Sequence, residues 1–162
     1  MLFLLATPEY TNTQSNTVKV RVHLRNGVAE IFDKHQDLMG KVENNLLEIE
    51  TAFENRFEKA LFLLQDAVFI VSNKGLDTNV ENPGTGIYVY AKKVREINQN
   101  FSIDELSKEY DQKKATLDLE LAKLSTKENE SLQKSVGSKL LLLQEDVEFL
   151  KRSIVIIKEL KS

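Results

Sequence analysis

Few side chains in this chain are equipped for chemistry. Two histidines, His23 and His35, stand among 25 acidic residues, and there is no cysteine. The lack of cysteine removes disulfides, thiolate zinc sites and cysteine nucleophiles together. His35 lies between Asp33 and Asp37, a donor set of the type that holds a divalent cation. The His/Cys spacing of structural zinc is absent, so the stretch reads as a polar loop. His23 sits between Val22 and Leu24 and reads as a surface or hydrogen-bonded imidazole. Glu43, Glu48, Glu50 and Glu54 cluster in sequence, but acid/base work needs geometry that spacing alone does not supply, and they read as a solvated face. No G-x-x-x-x-G-K-[ST] loop or G-x-S-x-G elbow occurs, and Gly84-Thr85-Gly86 is too short for a nucleotide fingerprint and reads as a loop tip. The expectation is a chain with no active site of its own, no metal and no cofactor.

Those residues must be carried by a folded scaffold. The 162 residues hold 22 Lys+Arg against 25 Asp+Glu, a net charge of −3, with 41% hydrophobic and 29% charged residues. That composition supports a core and excludes general disorder. The near-balance of charge argues against a nucleic-acid binder. The opening run Met1-Leu2-Phe3-Leu4-Leu5-Ala6 falls short of the ~20 apolar residues a membrane helix needs and lacks a basic n-region. It reads as a buried first strand in a cytoplasmic protein with no direct membrane insertion.

The chain has two grammars. Gly27, Gly40, Gly75, Gly84, Gly86, Pro8 and Pro83 all precede residue 87, and only Gly137 follows. Turn-formers in the first part predict strands, and their scarcity afterwards predicts helix. In Thr17-Val18-Lys19-Val20-Arg21-Val22-His23-Leu24 the apolar residues alternate with polar ones, the period of a half-buried strand. Asn26-Gly27 predicts a hairpin turn into residues 28–32. Residues 46–50 and 60–64 predict further strands, residues 68–71 a strand buried on both faces, residues 73–86 a long loop, and residues 87–91 a last strand.

Beyond residue 98 the period becomes helical. Ser102 and Glu105 form a capping-box pattern, followed by Ile103, Leu106, Tyr110, Leu117, Leu121 and Leu124 on one stripe. Ser125-Thr126 interrupts it, with Thr126 and Asn129 as new cap candidates. A second stripe runs through Leu132, Val136, Leu140, Leu143, Val147, Leu150, Ile154 and Ile157. From Leu140 onward its alternating three- and four-residue steps make a heptad seam. The two stripes predict an antiparallel helical hairpin. Leu141, Leu142, Phe149, Val155 and Ile156 lie off the seam, and a single partner helix would not cover them. The predicted organisation is a β-sandwich over residues 1–98, with a loop insertion at about 73–86, and an α-helical hairpin over 99–162.

This order of parts resembles the epsilon subunit of F-type ATP synthase (delta in mitochondria). Phe3-Leu4-Leu5-Ala6-Thr7-Pro8-Glu9 matches the family's opening. Residues 27–38 line up with its glycine-containing turn and Pro-x-His-x-Pro-Leu loop, residues 62–70 with a Gly-Gly hairpin, and residues 87–91 with the strand that enters the helices. The resemblance implies a β-sandwich followed by a two-helix hairpin, acting as a non-catalytic rotor subunit. It implies a sandwich bound to the γ subunit and α3β3 met indirectly or through the hairpin. The implied interface residues are Asp33, His35, Asp37 and Leu38 in the loop and Leu140, Leu143, Val147, Leu150, Ile154 and Ile157 on the hairpin.

The departures carry information too. Asp33 and Asp37 replace the two prolines around His35. Those prolines would fix φ and stiffen the loop, so their loss weighs against contact with a c ring. Gln65-Asp66 replaces the glycine pair. The family's ATP motif, Ile/Leu-Asp-x-x-Arg-Ala, survives only as Ile103 and Asp104; Ser107 stands where the arginine would make its charge-assisted contact. The resemblance therefore extends to an F1-like ATPase not coupled to a proton ring, such as a motility motor. The alternative from the residues themselves is a structural adaptor that self-associates through the heptad seam.

Overall fold

A computed structural model of the chain describes residues 1–74, 84–125 and 130–162, without the side chains of residues 125 and 130–136. Among the described residues, eight strands precede two helices: β1 (Leu2–Ala6), β2 (Thr11–Gln14), β3 (Thr17–Leu24), β4 (Gly27–Phe32), β5 (Leu38–Val42), β6 (Asn45–Phe53), β7 (Arg56–Ser72), β8 (Gly86–Ile97), α1 (Ile103–Ser125) and α2 (Glu130–Lys161). The chain divides into two compact units, Met1–Phe101 and Ser102–Ser162. A multi-stranded β unit followed by a two-helix hairpin is the fold class that the residue periods predict.

In the first unit the hydrogen-bonded path is β2-β1-β8-β7-β6-β3-β4, with β5 paired to β7 off that path. β1 runs parallel to β8, and the other strand pairs among the described residues are antiparallel. Phe3 and Leu5 of β1 share one core cluster with Val20 and Val22 of β3 and Ile31 of β4. Strands near opposite ends of the path meet only if the sheet folds over itself. The result is a sandwich with one apolar interior.

The fold-over has a local cause. β7 pairs with β6 over residues 56–64 and with β5 over residues 67–71. Between those stretches stands Asp66 with φ 52, and between β5 and β6 stands Asn44 with φ 45. Asn and Asp tolerate this left-handed region better than other side chains. At the bend the inward set of β7 changes from even to odd positions: Phe62 and Leu64 before it, Ala67, Phe69 and Val71 after it. Residues 60–64 and 68–71 are therefore one bent 17-residue strand rather than two, and Gln65-Asp66 marks a bend where the resemblance places a hairpin. Residues 68–71 are not buried on both faces, since Val68 is exposed.

The β3–β4 connection uses Arg25-Asn26 as its two-residue loop. Gly27 pairs with Leu24 and has φ 148, a value open to glycine. Of the predicted loop at 73–86, residues 75–83 lie outside the described residues.

In the second unit Ser102 caps α1 by accepting the Glu105 N–H at 3.3 Å. This is the forward half of the capping box. Asp104 and Glu105 in the first turn complement the helix dipole. Leu117, Leu140 and Val147 form the buried seam between α1 and α2, flanked by Tyr110, Leu124 and Leu143. Lys113 and Asp146 pair across it at 3.1 Å. Leu121, placed on the buried stripe by its spacing, is exposed. Of the off-seam residues, Phe149 and Ile156 are buried, while Leu141, Leu142 and Val155 are exposed. Thr126 and Asn129 lie outside the described residues, as do the side chains of Leu132 and Val136.

Candidate functional site

Two outer faces of the sheet differ in their share of charge. On β4-β3-β6 the outward residues mix charged and apolar side chains: Lys19, Arg21, His23, Glu30, Glu48 and Glu50 pair with one another, and Val28 and Phe32 of β4 are exposed beside them. Arg21 lies 2.9 Å from Glu30 on one side and 3.2 Å from Glu48 on the other. Lys19 lies 3.7 Å from Glu50. His23 Nε2 is 2.6 Å from the same Glu48 carboxylate, which makes His23 part of a surface network. Glu48 and Glu50 belong to this face. Glu54 sits in the β6–β7 turn with φ 37, so the four glutamates do not share one surface.

On β5-β7-β8-β1 the outward residues are apolar. Met39, Ile70, Tyr88 and Leu4 align in one cross-strand row. Lys41, Val68, Tyr90 and Ala6 align in the next. Met39 is 73% exposed and Val68 and Tyr90 are also open to solvent, while Leu4, Ala6 and Ile70 are half-buried and Tyr88 is buried. Lys41 is the single charge in these two rows. Sequence reasoning missed this face, because it exists only once the register of four strands is known. The alternation within each strand is visible; which strands lie side by side is not.

The loop between β4 and β5 lies at one end of this face. Asp33 and Asp37 are exposed, His35 is half-buried, and Leu38 packs against the core. Lys34 takes φ 64 at the turn. His35 Nδ1 is 2.8 Å from the Gln36 carbonyl. The loop is held by Asn73, just after β7, and Thr85, just before β8. The Asn73 side-chain amide donates to the His35 carbonyl at 2.6 Å and to Asp37 Oδ1 at 2.9 Å, and its backbone N–H donates to the same oxygen at 3.0 Å. Thr85 donates its hydroxyl to Asn73 Oδ1 at 2.7 Å and accepts the Lys34 N–H at 2.6 Å. The Asn73 backbone N–H, then its side-chain amide, hold the Asp37 carboxyl below the usual carboxylate range; slight desolvation opposes this and the charge of Lys74 assists it. Thr85 is 1% exposed and is a buried linker rather than a loop tip. Asn73 and Thr85 carried no sequence signal, since their partners lie up to 51 residues away.

Among the described residues, no group of three or more His, Asp or Glu side chains is placed to hold a metal ion. Nor, among the described residues, is any helix long and apolar enough to cross a membrane. Leu140, Val147, Leu150 and Ile157 of the hairpin set are buried, and Leu143 and Ile154 are half-buried. Ile103 and Asp104 open α1, with Asp104 exposed. A groove of about 320 Å³ in the helical unit is lined by Thr116, Glu120, Lys139, Leu140 and Leu143.

No protein-family model matches the chain, and no curated protein does. Solved structures do match it. A chain of the Euglena gracilis mitochondrial ATP synthase, from an OSCP/F1/c-ring assembly in rotational state 1, is similar with a TM-score of 0.53 at 11% identity, over 94% of this chain and 79% of its own length. A chain of the central stalk/c-ring structure of the Tetrahymena thermophila mitochondrial ATP synthase has a TM-score of 0.47 at 12% identity, over 95% and 96%. The first likeness is one of fold: this chain has an ATP synthase-related fold, a β unit followed by a helical hairpin.

Proposed function

We propose that the chain is a non-catalytic central-stalk subunit of a rotary F1 or F1-like ATPase. In this reading it binds the γ subunit through its β unit, meets α3β3 indirectly or through the hairpin, and couples or regulates ATP hydrolysis or synthesis. The observation that carries the reading is the apolar outer face on β5-β7-β8-β1. An exposed apolar surface of this kind marks a contact with another macromolecule. On β4-β3-β6 the charged outward positions are paired within the chain, with Val28 and Phe32 the exposed apolar residues beside them. The shared fold says which assembly to test first.

Within this reading, Asp33 and Asp37 favour an F1-like motor without a proton ring over a synthase, since the loop that resembles the ring-contact loop is acidic and lacks prolines. The location would be cytoplasmic and peripheral to the membrane, as part of the complex. The rival adaptor reading needs a free heptad seam for self-association. Burial of Leu140, Val147, Leu150 and Ile157 weighs against that reading.

The test is co-purification of the chain with the γ-type subunit of its own organism. Native chain should retain γ on a size-exclusion column. Tyr90→Asp, which sets a charge in the middle of the apolar face, should release it while the thermal melt stays cooperative. Retention of γ by the Tyr90→Asp variant would remove the face from the reading.

A further inference from the structure

We infer that Asn73 and Thr85 form a clasp that holds the apolar face in its binding shape, and that both are positioning residues for the partner contact. The inference rests on the docking role proposed above and adds what preorganises the surface. Its basis is where the bonded residues fall. Asp37 immediately precedes β5, Asn73 immediately follows β7, and Thr85 immediately precedes β8. The Leu2 N–H of β1 donates to the Thr85 carbonyl at 3.1 Å. These are the ends of the four strands whose outward residues make up the apolar face.

One Asn73 side chain therefore uses both its donor and its acceptor to tie β7 to the start of β5 and to Thr85, and Thr85 carries the tie to β8 and β1. The Lys34 N–H, just beyond β4, joins through the Thr85 hydroxyl. Proline would stiffen the loop by fixing φ within it. The clasp does so by hydrogen bonds from outside, and it also fixes the neighbouring strands. Met39, the most exposed apolar member of the face, lies two residues from Asp37, so freedom at Asp37 passes directly to it. A face held in one arrangement loses less freedom on binding than a loose one.

The experiment is amide hydrogen exchange on the full chain, with binding to purified γ-type subunit measured beside it. Five proteins are compared: native, Asn73→Ala, Thr85→Val, Thr85→Ser and Met39→Asp. In Asn73→Ala and Thr85→Val, the amides of residues 33–42 should exchange roughly tenfold faster, the scale of a lost hydrogen bond. β3 and β6 should stay protected, and γ should bind about tenfold more weakly. Thr85→Ser keeps the hydroxyl and should restore native exchange, which separates the clasp from a packing effect at that buried site. Met39→Asp should weaken γ binding with exchange unchanged. Native exchange in both clasp variants would overturn the clasp, and accelerated exchange with native affinity would overturn its positioning role. Native affinity in Met39→Asp would overturn the docking reading while leaving the clasp in place.

Discussion

Gly40 and Phe69 face each other across β5 and β7, and the Phe69 ring occupies the space that a side chain at position 40 would need. A Cβ on Gly40 would stand 2.6 Å from the ring. Phe69 is buried in the core and cannot swing into solvent. Gly40→Ala must therefore displace packed atoms, and overpacking of this kind costs about 1–3 kcal/mol. The prediction is a lower urea midpoint for Gly40→Ala at unchanged slope. An unchanged midpoint would show that the ring has room to move.

Asp37 gives a pH-dependent prediction. Its carboxyl is held below the usual range chiefly by the Asn73 backbone N–H and then by the Asn73 side chain. A depressed carboxylate contributes stability that is present above its unfolded pKa and is lost as pH falls through the lower folded value. The contact should therefore persist at neutral pH and release only under acid conditions, below the ordinary carboxylate range. Titration followed by NMR should place the native Asp37 midpoint below that of an unstructured peptide. Asn73→Ala should move the midpoint upward. Equal midpoints in the two proteins would deny the side-chain contact, since Asn73→Ala keeps the backbone N–H.

The ladder on β4-β3-β6 supports a weaker expectation. Glu48 serves both Arg21 and His23, but the side chains are partly exposed, where such pairs contribute less than about 1 kcal/mol. Glu48→Gln should lower the melting temperature slightly, and the difference should shrink as salt is raised. A large loss that ignores salt would point to packing rather than charge.

Legibility in the sequence followed period and range. Val20 and Val22 announced β3 by alternation, and both are fully buried. The helical stripes announced α1 and α2, and Leu117, Leu140 and Val147 meet as expected. β2 was hidden because Thr11-Asn12-Thr13-Gln14 is a polar strand at the end of the sheet path, with no apolar face to read. β5 was hidden because Gly40 sits inside it beneath a ring, and glycine within a strand reads as a break. The length of β7 was hidden because the bend at Asp66 shifts the inward positions by one. The loop around His35 was visible through its resemblance. The residues that hold it, Asn73 and Thr85, were not, since nothing local links them to it.

The hairpin seam can be tested on its own. Leu117 is buried between α1 and α2, and truncation of a buried leucine to alanine costs about 2–5 kcal/mol. Leu117→Ala should lower the helical signal in circular dichroism at elevated temperature and speed exchange in α1. Exchange in β3, β6 and β7 should remain native. Loss of protection throughout the chain would show that the helical unit does not open independently.

The most direct test of the central proposal is capture of the native complex with this chain as bait, followed by mass spectrometry of what it retains. The account predicts α, β and γ homologues of an F1-type ATPase in stalk-like proportion, without a c ring if Asp33 and Asp37 have abolished that contact. Recovery of the chain alone, or of a complex with no ATPase subunits, would contradict the account and leave the likeness as one of fold only.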